Sequence, residues 1–99
     1  MPTYILLSKL TPQGVQTLRS NPDRLREVNR DVEELGAKIL HQWASLGAYD
    51  FVNVVEAPSN EVIARISVEL GSRGTIEIST FPAMGIEVFR DTIRTTPNA

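Results

Sequence analysis

The chain reads as a single α+β domain, a four-stranded antiparallel sheet with helices packed on one of its faces. Three observations predict this. Residues 3–10, TYILLSKL, are apolar at nearly every position, the pattern of a strand covered on both faces. Two later stretches carry apolar residues at helical spacing. The elements fall in the order strand, helix, strand, strand, helix, strand.

The first strand ends at Thr11-Pro12, an N-cap followed by a first-turn proline, which predicts a helical segment with Val15 and Leu18 on one side. The stretch SNPD breaks it. Asn21 as cap and Pro22 as first turn predict a second, longer helix from Pro22 to Leu35, with Leu25, Val28, Val32 and Leu35 as its inward stripe and Gly36 as its stop. Ala37–Leu46, AKILHQWASL, is predicted as strand two, GAYD as a short connection, and DFVNVVEA as strand three, so that strands two and three form a hairpin.

Ser59 or Asn60 can cap a helix running to Leu70, with Ile63, Ile66 and Leu70 facing inward and Glu61, Arg65 and Glu69 at i,i+4 spacing outside. GSRG, Gly71–Gly74, ends that helix. As it follows a helix C-terminus, whose carbonyls repel anions, it is a glycine stop and not a phosphate cradle. Thr75–Phe81 is predicted as strand four. MGIEVFRDTIR follows as a short terminal helix with Ile86, Phe89 and Ile93 on one stripe, although Ile86–Phe89 also fits a strand extension.

This order is the split β-α-β arrangement of ferredoxin-like folds. In strands one and three both sides are apolar, Ile5 and Leu7 against Leu6, and Phe51 and Val55 against Val52 and Val54. The face without helices would therefore put an apolar patch in water. Sheet-to-sheet packing of two copies about a twofold axis would cover it and give a dimeric α/β barrel, so a homodimer is expected.

Composition narrows the chemistry. Ninety-nine residues, 41% hydrophobic and 22% charged, suit one domain, residues 1–99, with one core. No apolar run approaches the roughly 20 residues of a membrane-spanning helix, and the N-terminus lacks the features of a signal peptide, so a cytoplasmic protein is expected. The chain has no cysteine and a single histidine, His41, which removes disulfides, thiolate metal sites and cysteine nucleophiles and makes a metal site improbable. Twelve acidic and ten basic residues are scattered along the chain without the basic stripe that nucleic acid requires. No Gly-x-Ser-x-Gly motif is present, and one histidine is too little for a triad. No cofactor is implied.

Two groups of residues are candidates for a site. In Gly47-Ala48-Tyr49-Asp50, the structural reading has Gly47 adopting the backbone angle of a turn, Asp50 accepting backbone N–H groups and Tyr49 packing on the hairpin. The functional reading makes Tyr49 and Asp50 a ligand-binding pair, but neighbouring strand residues point to opposite faces. His41 and Trp43, two apart on strand two, should share a face with Ile39. There they read either as the wall of a pocket for a planar molecule, with His41 as general base, or as a core tryptophan beside a hydrogen-bonded histidine. Asn53, an amide in an apolar strand, must find partners if buried, and could orient His41 or a ligand. Ser8, Tyr4 and Glu77 are lesser polar positions of the same kind.

Gly47-Ala48-Tyr49-Asp50 fits a Gly-x-Tyr-Asp signature. Together with YILLSKLTPQG, ELGAKI, EAP and ELGSRGTIEISTFPA, it makes the chain resemble, over almost its whole length, the GYD-domain family of small, mostly prokaryotic proteins. That family is similar to dimeric α/β-barrel proteins, among them cofactor-independent monooxygenases and isomerases. The resemblance implies the fold and the dimer and assigns no reaction. The expectation is a homodimeric ligand-binding or structural protein whose partners are itself and a small organic molecule. The alternative is a cofactor-independent enzyme on a small aromatic or quinone-like substrate, with His41 as base, Asn53 as orienting group and Trp43 as pocket wall.

Overall fold

The computed structural model describes residues 1–94. Strand β1 (Thr3–Leu10) is followed by helices α1 (Pro12–Ser20) and α2 (Arg24–Glu34). The hairpin of β2 (Lys38–Ala44) and β3 (Phe51–Glu56) comes next, then helix α3 (Asn60–Gly71), β4 (Ile76–Ala83) and helix α4 (Ile86–Arg94). The sheet order is β2-β3-β1-β4 with antiparallel neighbours throughout, which is the ferredoxin-like α+β arrangement.

Local chemistry accounts for most of the boundaries. Thr11 caps α1, its Oγ1 accepting the Gly14 N–H at 3.1 Å while donating to the Gly74 carbonyl at 2.7 Å. Ser59 caps α3 by accepting the Val62 N–H. Gly36 ends α2 with φ of 108°, a left-handed angle that glycine adopts without a Cβ penalty. Asn21 differs from its expected role. It is the C-cap of α1, and α2 begins after Asp23, whose side chain makes no capping bond. The Asn21 carbonyl instead accepts the Arg24 N–H.

The core lies between the sheet and helices α2 and α3. Tyr4, Leu6 and Val55 from the sheet meet Val32, Ile63, Ile66 and Leu70 from the helices, so the predicted stripe of α3 is the buried one, while that of α2 is buried at Val32, half-buried at Val28 and Leu35 and exposed at Leu25. Helix α1 departs from its predicted stripe. Val15 is exposed and Gly14 is its buried residue, because the α1 backbone runs so close to Thr75 that a Cβ on Gly14 would overlap the Thr75 carbonyl oxygen.

Strand β2 also departs from simple alternation. Ile39 pairs with Val55 and His41 with Val54, so a β-bulge at Leu40 lies between them. Since a bulge shifts the side-chain phase by one residue, Ile39 packs with the helix-side core while His41 and Trp43 turn to the opposite face. The expected sharing of one face by Ile39, His41 and Trp43 is therefore corrected. Among the described residues no helix is long and apolar enough to cross a membrane.

Candidate functional site

Register defines two faces. Ile5 and Leu7 on β1 align with Val54 and Val52 on β3 and with Phe81 and Ser79 on β4. These side chains alternate with the buried Tyr4, Leu6 and Ser8, so they lie on the face away from the helices. Trp43, opposite Val52, and His41, opposite Val54, extend that face to the sheet edge. The two rings stack with centroids 5.3 Å apart and planes at 8°. Trp43 remains 54% exposed and Phe81 47% exposed. The result is an aliphatic centre flanked by aromatic rings, and among the described residues none of the helices α1 to α3 packs on it.

The Gly47-Ala48-Tyr49-Asp50 loop sits at one end of the sheet. Asp50 is its organising residue. The backbone N–H donates to the Ser8 carbonyl at 2.8 Å, the carbonyl accepts the Ser45 N–H at 2.7 Å, and the carboxylate accepts the Leu10 N–H at 2.7 Å. Gly47 is not the angle-bearing glycine expected of it. The glycines with positive φ among the described residues are Gly36 and Gly74, and a Cβ on Gly47 would meet nothing within 4 Å. Tyr49 is half-buried.

Asn53 lies on the other face. It aligns with Leu6, points toward the helices and borders a cavity of about 100 Å³ between the sheet, α1, α2 and α3. The cavity is lined mainly by aliphatic side chains, including Leu6, Val55, Ile66 and Leu70, with Ser8 and Asn53 as polar points on the sheet. Asn53 Oδ1 is buried and has no hydrogen-bond partner, a state that costs about 1–3 kcal/mol. The exposed lining residues are Leu25 and Gln42, which puts the opening between the start of α2 and the β2 edge. Asn29 and Gln42 join there through two reciprocal amide hydrogen bonds of 2.9 and 3.0 Å.

The sheet thus separates residues that a base-and-orienter site would need together. His41 and Trp43 are on the uncovered face, Asn53 is in the cavity, and Tyr49 and Asp50 are in the loop. Sequence reading passed over Gln42 and Gly14. Alternation against His41 and Trp43 could have placed Gln42 on the helix side, whereas nothing local to α1 marks Gly14 as a close approach. Beside α3 and β4, an open groove has its polar side chains already paired, Tyr4 to Asn60 at 2.6 Å and Ser67 to Thr80 at 2.8 Å. Among the described residues no three His, Asp or Glu side chains are grouped to hold a metal ion.

Fold and surface define a small α+β protein with an uncovered apolar sheet face and a mainly aliphatic cavity between sheet and helices. The chain belongs to the GYD-domain family, whose model matches residues 4–93. It is 46% identical over 87 residues to a Thermus thermophilus protein named glutamine synthetase and cystathionine beta-lyase binding protein, covering 87% of this chain and 92% of the relative. No solved structure gives a significant match.

Proposed function

We propose that this chain is a cytoplasmic, homodimeric binding protein for metabolic enzymes, of the kind its Thermus relative is named for. The observation that carries this reading is the 46% identity over 87% of this chain and 92% of that relative. Two surfaces supply the physical means. The uncovered sheet face is broad and aliphatic at its centre, and two identical faces of this kind pack about 10 Å apart in a twofold sandwich. A second copy is its occupant.

Helix α4 is the element left for the enzyme. None of its residues is buried, and Ile86, Phe89 and Ile93, at i, i+3 and i+7, are 74%, 47% and 55% exposed. An amphipathic helix with an apolar stripe in water is suited to lie in a groove of another protein. Its flanks carry both charge signs, Glu87 and Arg90 pairing at 2.9 Å, which favours a mixed polar rim.

The test uses glutamine synthetase and cystathionine beta-lyase from the same host, immobilised and titrated with the full chain. Saturable binding to at least one of them is expected, falling about tenfold or more in Phe89→Asp, the size of effect an interface anchor gives. Absence of binding to both enzymes would reject the reading.

A further inference from the structure

We infer that the cavity beneath the sheet is a binding site for a short, mostly aliphatic molecule bearing one hydroxyl group, held by the Asn53 carboxamide. Three observations place it there. The cavity is lined mainly by aliphatic side chains from three helices and the sheet and opens at the β2 edge, so its walls favour an apolar body and oppose a charge, which would lose its hydration on entry. Asn53 Oδ1 is buried at this wall without a partner, whereas the large majority of buried side-chain polar atoms in folded proteins are bonded. Ser8, 4% exposed, borders the same space from the neighbouring strand, diagonal to Asn53 in the register. Ser8 and Asn53 are thus the polar side chains of the central strands β1 and β3 at this space, the other polar lining residues, among them Arg24, Asn29, Gln42 and Arg73, standing on the helices, the β2 edge and the turn before β4.

The hydroxyl follows from the amide. A hydroxyl both donates and accepts, so it can bond to a carboxamide in either orientation. Size follows from volume. About 100 Å³ is less than the roughly 150 Å³ that admits benzene, which limits the enclosed part of the ligand to about five heavy atoms and points to a short-chain alcohol or the hydroxylated end of a longer one. The Arg24 and Arg73 guanidiniums at the lining do not change this class. Each is already engaged, Arg24 with Glu27 at 2.9 Å and Arg73 with Asp31 at 2.8 Å. The site lies on the opposite side of the sheet from the surface assigned to the second copy and does not depend on enzyme binding.

The experiment is a titration of the ¹⁵N-labelled full chain with isobutanol, and separately with xenon as an apolar probe that forms no hydrogen bond. Saturable amide shifts at Leu6, Val55 and Ile66 are expected with both probes. Asn53→Leu should retain xenon binding, melt at a higher temperature and bind isobutanol between about threefold and tenfold more weakly, the range set by one hydrogen bond. Leu25→Trp, which fills the cavity from its rim at a position 39% exposed, should abolish both responses in a folded protein and keeps the test valid if Asn53→Leu does not fold. The inference is overturned by any of three results: no saturable response, as in a cavity holding water alone; shifts centred on Trp43 instead of the cavity; or isobutanol affinity unchanged by Asn53→Leu.

Discussion

The Asp50 carboxylate accepts the backbone N–H of Leu10 at 2.7 Å, while the Asp50 N–H donates to the Ser8 carbonyl at 2.8 Å. One residue thereby ties the β2–β3 loop to the end of β1. The Gly-x-Tyr-Asp signature is in this respect a structural clasp.

Asp50→Ala should therefore destabilise the chain by about 1.5–3 kcal/mol, the range for a hydrogen bond to a charged group, read as a shift in the urea midpoint at unchanged slope. Tyr49→Phe removes only a hydroxyl from a half-buried residue and should stay within about 0.5 kcal/mol of the parent. A reactive Tyr49–Asp50 pair predicts otherwise: both variants would lose ligand binding while keeping full stability.

Two glycines separate close approach from mere openness. Gly14→Ala drives a Cβ into the Thr75 carbonyl oxygen, the same oxygen that accepts the Thr11 N–H at 3.0 Å. Relief requires α1 to move off the turn before β4, so a loss of at least about 2 kcal/mol is expected, within the range for overpacking. Gly47→Ala meets nothing within 4 Å and needs no left-handed angle, so it should be neutral or stabilising by up to about 1 kcal/mol through the unfolded chain. Thermal melts of the two variants, side by side, check the contrast.

The Thr11 hydroxyl makes two bonds at once, accepting from Gly14 N–H and donating to the Gly74 carbonyl. It therefore fixes the start of α1 and holds it to the turn before β4. Thr11→Ala should cost about 1–2 kcal/mol, at the upper part of the N-cap range. Thr11→Ser keeps the oxygen and should recover most of it. Equal losses in both variants would show that packing of the methyl group, and not the double hydrogen bond, is what matters there.

These cases also mark what a sequence can disclose. The α3 stripe was legible because helical period and burial are both local to the segment; Ile63, Ile66 and Leu70 recur every three or four residues and are all buried, whereas in α2 the same spacing held at Val32 and failed at Leu25, which lies at the exposed start of the helix. The Thr11-Pro12 and Ser59 caps were legible for the same reason. The bulge at Leu40 was not, as it arises from the register between β2 and β3 and leaves no mark in the alternation of β2 alone. That one shift decides which face His41 and Trp43 occupy. Asn53 was legible as a polar residue needing a partner, but its separation from His41 depends on the same shift. Gly14 was hidden because its constraint comes from Thr75, some sixty residues away in the chain.

Trp43 reports on the proposed dimer. It is the sole tryptophan of the chain, stacks on His41 and is 54% exposed on the uncovered face. In the sandwich of two sheets it would form part of the contact, where aromatic rings are enriched over the rest of a protein surface. Dilution should shift its emission to longer wavelength as the dimer dissociates, in parallel with a fall in sedimentation coefficient. Val54→Asp puts a carboxylate at the centre of that face, where a twofold contact would bring it near its own copy and desolvate it. This variant should sediment as a folded monomer, show red-shifted emission at every concentration, and lose little intrinsic stability because Val54 is only half-buried in the single chain. A wild-type chain that sediments as a folded monomer with concentration-independent emission would reject the dimer, and the sheet face would then be open to the enzyme partner.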